Sequence, residues 1–213
     1  DKLMRFKALL KICSYFVLLN ALATYSQNVL ADITTSNITF TEAVNAVKEK
    51  NYQHAVNLFE IQANAAQHDA QYNLALLLKS GKGRPQNYQQ ALIWAWCAYL
   101  GGIEPAEKLS EEIRELLPDD ALKSAREQVE IMLKDRIDTG DRPALMHLAL
   151  FHQELAEKPD FEEAYVWYSI ASAFLLDGSI LARNEAEESV DVKSIVKLQV
   201  RANDIFDRLS VIK

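Results

Sequence analysis

Four histidines, two clusters of carboxylates, a glycine-lysine-glycine turn and the cysteine Cys97 are the residues in this chain with chemistry to offer. His54, His68, His147 and His152 are the imidazoles. His147 and His152 stand five apart, which on a helix is about 140° of rotation, so they do not form the i,i+4 pair that ligates a metal. Gly81-Lys82-Gly83 lacks the further glycine and the Ser/Thr after lysine that a phosphate-cradling loop needs, and it reads as a turn. Glu111-Glu112-Glu115 and Glu185-Glu187-Glu188 could supply acid/base pairs, yet they fall on the polar faces of amphipathic helices, where solvated charge is the default. Cys97, between Trp96 and Ala98, reads as a small core residue. No metal, cofactor or catalytic residue is expected, and the chain is not expected to be an enzyme.

The elements that carry these residues are helices. Only 6 Gly and 5 Pro occur in 213 residues, too few for the turns of a strand-rich fold, and long stretches are rich in Ala, Leu, Glu, Lys and Gln. Ala106, Leu109, Ile113, Leu116 and Leu117 fall on one stripe. So do Ala121, Ala125, Val129 and Met132, and likewise Ile195, Leu198, Ala202, Ile205 and Leu209. Pro118-Asp119-Asp120 supplies turn and N-cap chemistry, and Thr139-Gly140-Asp141-Arg142-Pro143 breaks the chain between two such regions.

The helices repeat. Tyr52-Gln53-His54-Ala55-Val56-Asn57-Leu58, Tyr88-Gln89-Gln90-Ala91-Leu92-Ile93-Trp94 and Phe161-Glu162-Glu163-Ala164-Tyr165-Val166-Trp167 share one pattern, with alanines 36 and then 73 residues apart. Residues 70–76 align with 144–150 at a displacement of 74. Leu109, Ile113, Leu117 and Met132 fall opposite Ala182, Ala186, Val190 and Ile205 at 73. The one-residue difference belongs to a shorter turn in the second copy. The reading is an extra hairpin over 41–67 followed by two four-helix units, 68–136 and 141–209, in a single domain over 32–213. No hairpin of this kind buries its apolar stripe alone, so the hairpins must stack, with Trp94 and Trp167 filling the space between them.

The N-terminus reads as a secretory signal over residues 1–31. Met4-Arg5-Phe6-Lys7 and Lys11 give the basic start, Ile12 to Ala23 the apolar run, and Ala21-Leu22-Ala23 or Val29-Leu30-Ala31 the cut site. That run of about a dozen residues is short of the roughly 20 of a spanning helix. Cys13 is preceded by Lys11-Ile12 in place of small residues, with nearly all of the apolar run after it, and is not a lipidation site. Asp1-Lys2-Leu3 precede a plausible initiator Met4. Cleavage after Ala31 would leave 19 basic against 29 acidic residues, a net of −10, and Cys97 without a disulfide partner. Such a surface repels phosphate backbones and anionic lipid, so neither nucleic acid nor membrane insertion of the mature chain is expected. A periplasmic or secreted monomer is the expectation.

Residues 65–75, then Gly81-Lys82-Gly83, then Asn87-Tyr88-Gln89-Gln90-Ala91 with Trp94, resemble a Sel1-like repeat of the exported bacterial type. Such repeats are relatives of tetratricopeptide repeats, with a Gly-x-Gly turn between helices and Ala-x-x-Trp in the second helix. The likeness runs over 51–102 and again, less closely, over 141–176, where Glu157-Lys158-Pro159-Asp160 replaces the glycine turn; residues 103–136 and 179–213 have helical periodicity without the repeat signature. His68 stands where the family usually has glycine. The resemblance implies an all-α solenoid of stacked antiparallel hairpins that acts as an adaptor or scaffold for a protein partner. It places Tyr72, Leu76 and Lys79, and in the next repeat Met146, Leu150 and Gln153, on the binding face of the first helices. A cell-wall-active or other hydrolase on a helical scaffold, or a structural subunit of an envelope assembly, are the alternatives.

Overall fold

The computed structural model describes residues 39–212, and the expected signal segment, its cut sites and Cys13 lie outside them. Every regular element among the described residues is helical. Helix α1 covers 39–48, and α2 is Tyr52–Asn64, α3 His68–Ser80, α4 Tyr88–Leu100, α5 Pro105–Arg114 and α6 Asp119–Asp138. Then come α7 (Ala144–Leu150) with a π-helical turn at Phe151–Leu155, α8 (Phe161–Ala173), α9 (Ser179–Glu187) and α10 (Val192–Ser210). None is long and apolar enough to cross a membrane.

The two middle helices hold the stack together. In α4, residues Ala91 to Ala98 and Leu100 are buried, and α8 is buried nearly as completely. A helix apolar on all sides needs neighbours on all sides. Helix α4 finds them in α3, α5 and α6, and α8 in α7, α9 and α10. Trp94 and Trp167 are both buried, and Trp96 is more completely buried than either. Cys97 is a core residue whose thiol burial pushes up to about 12, far from reactive.

Each copy closes its first hairpin with the same bond by different means. The Asn87 N–H donates to the Leu78 carbonyl at 3.1 Å, and the Asp160 N–H donates to the His152 carbonyl at 2.8 Å. In the first copy Gly81 (φ 68°) ends α3 in the left-handed conformation. Gly83 then lies so near the start of α2 that a Cβ there would come within 2.3 Å of the Tyr52 carbonyl oxygen. The second copy has no glycine here, and α7 instead widens into the π-helical turn. Asn87 and Asp160 then cap α4 and α8, accepting from the N–H groups of Gln90 and Glu163.

Three local expectations change. Pro118 is the N-cap residue of α6 and no side chain caps it; Asp119 and Asp120 sit in its first turn, where their charge opposes the helix dipole. Leu116 is exposed because α5 ends at Arg114 and leaves it in the turn. Along α6 the buried set is Ala125, Val129, Leu133 and Ile137, while Ala121 and Met132 are half-buried. The stripe shifts because α6 is packed between α4 on one side and α7 of the next unit on the other.

Candidate functional site

Helices α3 and α7 expose what α4 and α8 do not. Each buries one face, through Ala70, Gln71, Leu74, Ala75, Leu77 and Leu78 in α3 and Ala144, Leu145, Leu148 and Ala149 in α7. Of the residues expected at a binding face, Tyr72, Met146 and Leu150 are half-buried at the edge of the core, and Leu76 is exposed. Gln153 is half-buried within the π-helical turn. Lys79 is engaged across helices: its Nζ donates to Glu112 Oε2 of α5 at 2.5 Å, which holds the Glu112 carboxyl below its usual range. The lysine is thus a tie between α3 and α5 as well as a candidate contact.

Carboxylates and tyrosines gather beside this face in a way the repeat did not foretell. The Tyr99 hydroxyl of α4 donates to Glu154 of the π-helical turn. Burial, then Glu154, and then Glu107 of α5 push the Tyr99 phenol up. The Tyr168 phenol of α8 is raised to about 12 by burial and by Glu154 and Glu185 of α9. Three elements, the π-helical turn, α5 and α9, therefore bring one negative field to bear on two phenols, which keeps both neutral and available as donors. Tyr99 and Tyr168 do not occupy equivalent repeat positions, so internal alignment carried no signal for them.

The histidines separate into packing and pairing. His68 Nδ1–H donates to Gln71 Oε1 at 2.9 Å, Gln71 Nε2 donates to the Ala63 carbonyl, and the His68 ring lies edge to face on His147 with centroids 5.1 Å apart. A Cβ added at Gly101 would come within 2.0 Å of the His68 ring, so the glycine makes room for it. His152 is buried, with Nε2 3.8 Å from Glu130 Oε1 of α6. Among the described residues no three His, Cys, Asp or Glu side chains converge as a metal would require.

One cleft, of about 520 Å³, lies between α8, α9 and α10 and includes Tyr165, Ser169, Arg183, Gln199, Asn203 and Phe206 in its lining. Ser169 stands where the first copy has Trp96, 73 residues earlier, a buried ring with the Arg126 guanidinium 5.8 Å from its centroid. The Ser169 hydroxyl donates to the Tyr165 carbonyl at 2.7 Å and Gln199 Nε2 donates to the Tyr165 hydroxyl at 3.3 Å. No histidine lines the cleft, Glu187 does, and the Ser169 hydroxyl is directed at the Tyr165 carbonyl.

No family model and no curated protein matches the chain. Among solved structures it is similar to a protective antigen present in uropathogenic Escherichia coli strains displaying an SLR (Sel1-like repeat) fold, at 17% identity and a TM-score of 0.35. The match covers 84% of this chain and 48% of that one, so the chain spans about half the length of that protein. The fold assignment rests on the chain's own hairpins. They are stacked, antiparallel and all helical, with the left-handed glycine turn and the buried Ala91 and Trp94 that the Sel1-like resemblance implies.

Proposed function

We propose that this protein is an exported helical-repeat adaptor that holds a protein partner on the face formed by its first helices, in the cell envelope or outside the cell. The observation that carries the reading is the division of labour between helices. The second helices α4 and α8 are consumed by the core, whereas α3 and α7 keep Tyr72, Leu76, Met146 and Leu150 at or near the surface. A rigid stack presents such a face with little loss of conformational entropy on binding. The carboxylates Glu107, Glu154 and Glu185 beside it favour a partner segment that is basic as well as apolar. The basic-apolar-small order of residues 1–31 supports export.

The test is site-specific photocross-linking in the envelope fraction, with the reactive group at Leu76 or Leu150, and at Glu127 on the outer face of α6 as control. A partner captured from the first two sites, lost on Tyr72→Ala and absent at the third, supports the reading. Equal capture at all three sites, or none with the protein folded and exported, would sink it. Fractionation and N-terminal sequencing of the mature protein test export separately.

A further inference from the structure

A second cleft, of about 510 Å³, lies in the first copy between α2, the end of α3, the turn that follows it and α4. Its apolar part is Leu78, Pro85 and Trp94. Its polar part is made almost wholly of amides, from Asn64, Gln86, Asn87 and Gln90. The two charges in the lining cancel. Arg84 donates from Nη1 and Nη2 to Glu60 Oε1 and Oε2, at 2.9 and 2.5 Å.

Most of the hydrogen-bonding capacity of those amides is unspent. Asn64 and Gln90 make no side-chain hydrogen bond among the described residues. Gln86 uses only its N–H, on the Lys79 carbonyl at 2.7 Å, and Asn87 only its oxygen, on the Gln90 N–H at 2.9 Å. Trp94 points the same way. It is 5% exposed and lines the cleft, and its indole N–H has no hydrogen-bond partner among the described residues. The indole nitrogens of Trp96 and Trp167 are fully buried, and that of Trp94 is not.

We propose that this cleft is a binding site for a neutral saccharide. Each sugar hydroxyl both donates and accepts, as each amide does, and the C–H face of a pyranose suits the Leu78, Pro85 and Trp94 surface. An ion would find no uncompensated charge here, and a wholly apolar ligand would strip water from the amides without replacing its bonds. An extended peptide is disfavoured by the second copy. At the positions 73 residues on, Glu163 replaces Gln90 and Arg201 replaces Gln128, and these two bond to each other. A chain running along the array would therefore pass from neutral amides to a closed ion pair, whereas a compact ligand needs only the one cleft. The site shares no residue with the face proposed for the protein partner and does not depend on it.

The three indole N–H groups give separate signals in ¹⁵N–¹H spectra of the purified protein, and titration with glucose, galactose, N-acetylglucosamine and maltose reads the outcome. At least one of these should move the Trp94 signal saturably below about 10 mM, with Trp96 and Trp167 unmoved. Asn64→Ala and Gln90→Ala should each weaken that binding roughly three- to tenfold, the effect of one lost hydrogen bond, with circular dichroism unchanged. Gln90→Glu with Gln128→Arg installs the pair that the second copy carries and should abolish it. A Trp94 signal that none of the four sugars moves would overturn the proposal. So would binding that survives all three variants, or a stronger shift from the neutral peptide N-acetyl-trialanine amide, which would assign the cleft to polypeptide.

Discussion

The rings of His68 and His147 meet edge to face, 5.1 Å between centroids, across the seam between the two four-helix units. His147 Nδ1 is buried and without a hydrogen-bond partner. Burial, then His68 and Arg136, hold the His147 imidazole down to about 4 from 6.5, against a smaller opposing effect of Asp141.

That depression makes the seam acid-labile. The unfolded chain takes up this proton near pH 6.5 and the folded chain only near pH 4, so the stabilisation is complete above 6.5 and is lost as pH falls between those values. The full loss from this one group is about 3 kcal/mol. Urea denaturation at pH 7.5 and pH 5 should show the fall, and His147→Asn, the residue that the first copy has 74 positions earlier, should flatten it. An unchanged slope in that variant would assign the acid response elsewhere, for example to His152, whose imidazole is also lowered by burial.

Trp94 and Trp167 are equivalent in the two copies and both are buried. Replacing either by Ala should cost about 3–5 kcal/mol, the range for emptying a large aromatic site in a packed core. The midpoint of thermal unfolding would report it. A transition unmoved in both variants would remove them from the core.

Gly83 and Gly102 form a matched pair, both at positive φ (83° and 86°). A Cβ at Gly102 meets nothing within 4 Å, whereas one at Gly83 strikes the Tyr52 carbonyl oxygen at 2.3 Å. Gly102→Ala should lose about 1 kcal/mol, from backbone conformation alone. Gly83→Ala should lose clearly more, since backbone must move away from backbone. Equal losses, measured by chemical denaturation, would show that the α2 contact is not rigid.

Arg142 fastens the end of α10 to the break between the units. Its Nη2 donates to the Leu209 and Ile212 carbonyls at 2.7 and 2.9 Å, and its guanidinium lies 4.1 Å from the centroid of the Phe174 ring. Arg142→Met keeps the stem but loses the charge-assisted bonds, at a cost of about 2–3 kcal/mol. Amide hydrogen exchange should then accelerate over residues 205–212 and leave α3 and α4 unchanged. Uniform acceleration over the whole chain would mean that the anchor supports the array globally.

The helical hairpins were legible because their causes are local. Alanine and leucine stripes at steps of three and four set α5, α6 and α10, and the Gly81-Lys82-Gly83 turn announced itself by composition. Where a helix meets two neighbours the periodicity misled. The α6 stripe runs through Leu133 and Ile137, because α7 covers a side that an amphipathic reading leaves to solvent. The Tyr99–Glu154 bond and the Arg142 anchor left no trace in the repeat, since their partners are separated by 55 and 67 residues and come from non-equivalent positions.

The amino-acid order alone indicated that this chain makes helices, where several of the turns between them fall, and that its pattern recurs. Those properties depend on propensity, turn chemistry and a period of 3.6, which act over a few residues. Only the tertiary structure decided that His68 touches His147, that Lys79 is bound to Glu112, and that a cleft lies between α8, α9 and α10. The physical reason is that such contacts depend on how far each hairpin turns relative to the last. That angle is set by the packing of many side chains together and by no single residue pattern.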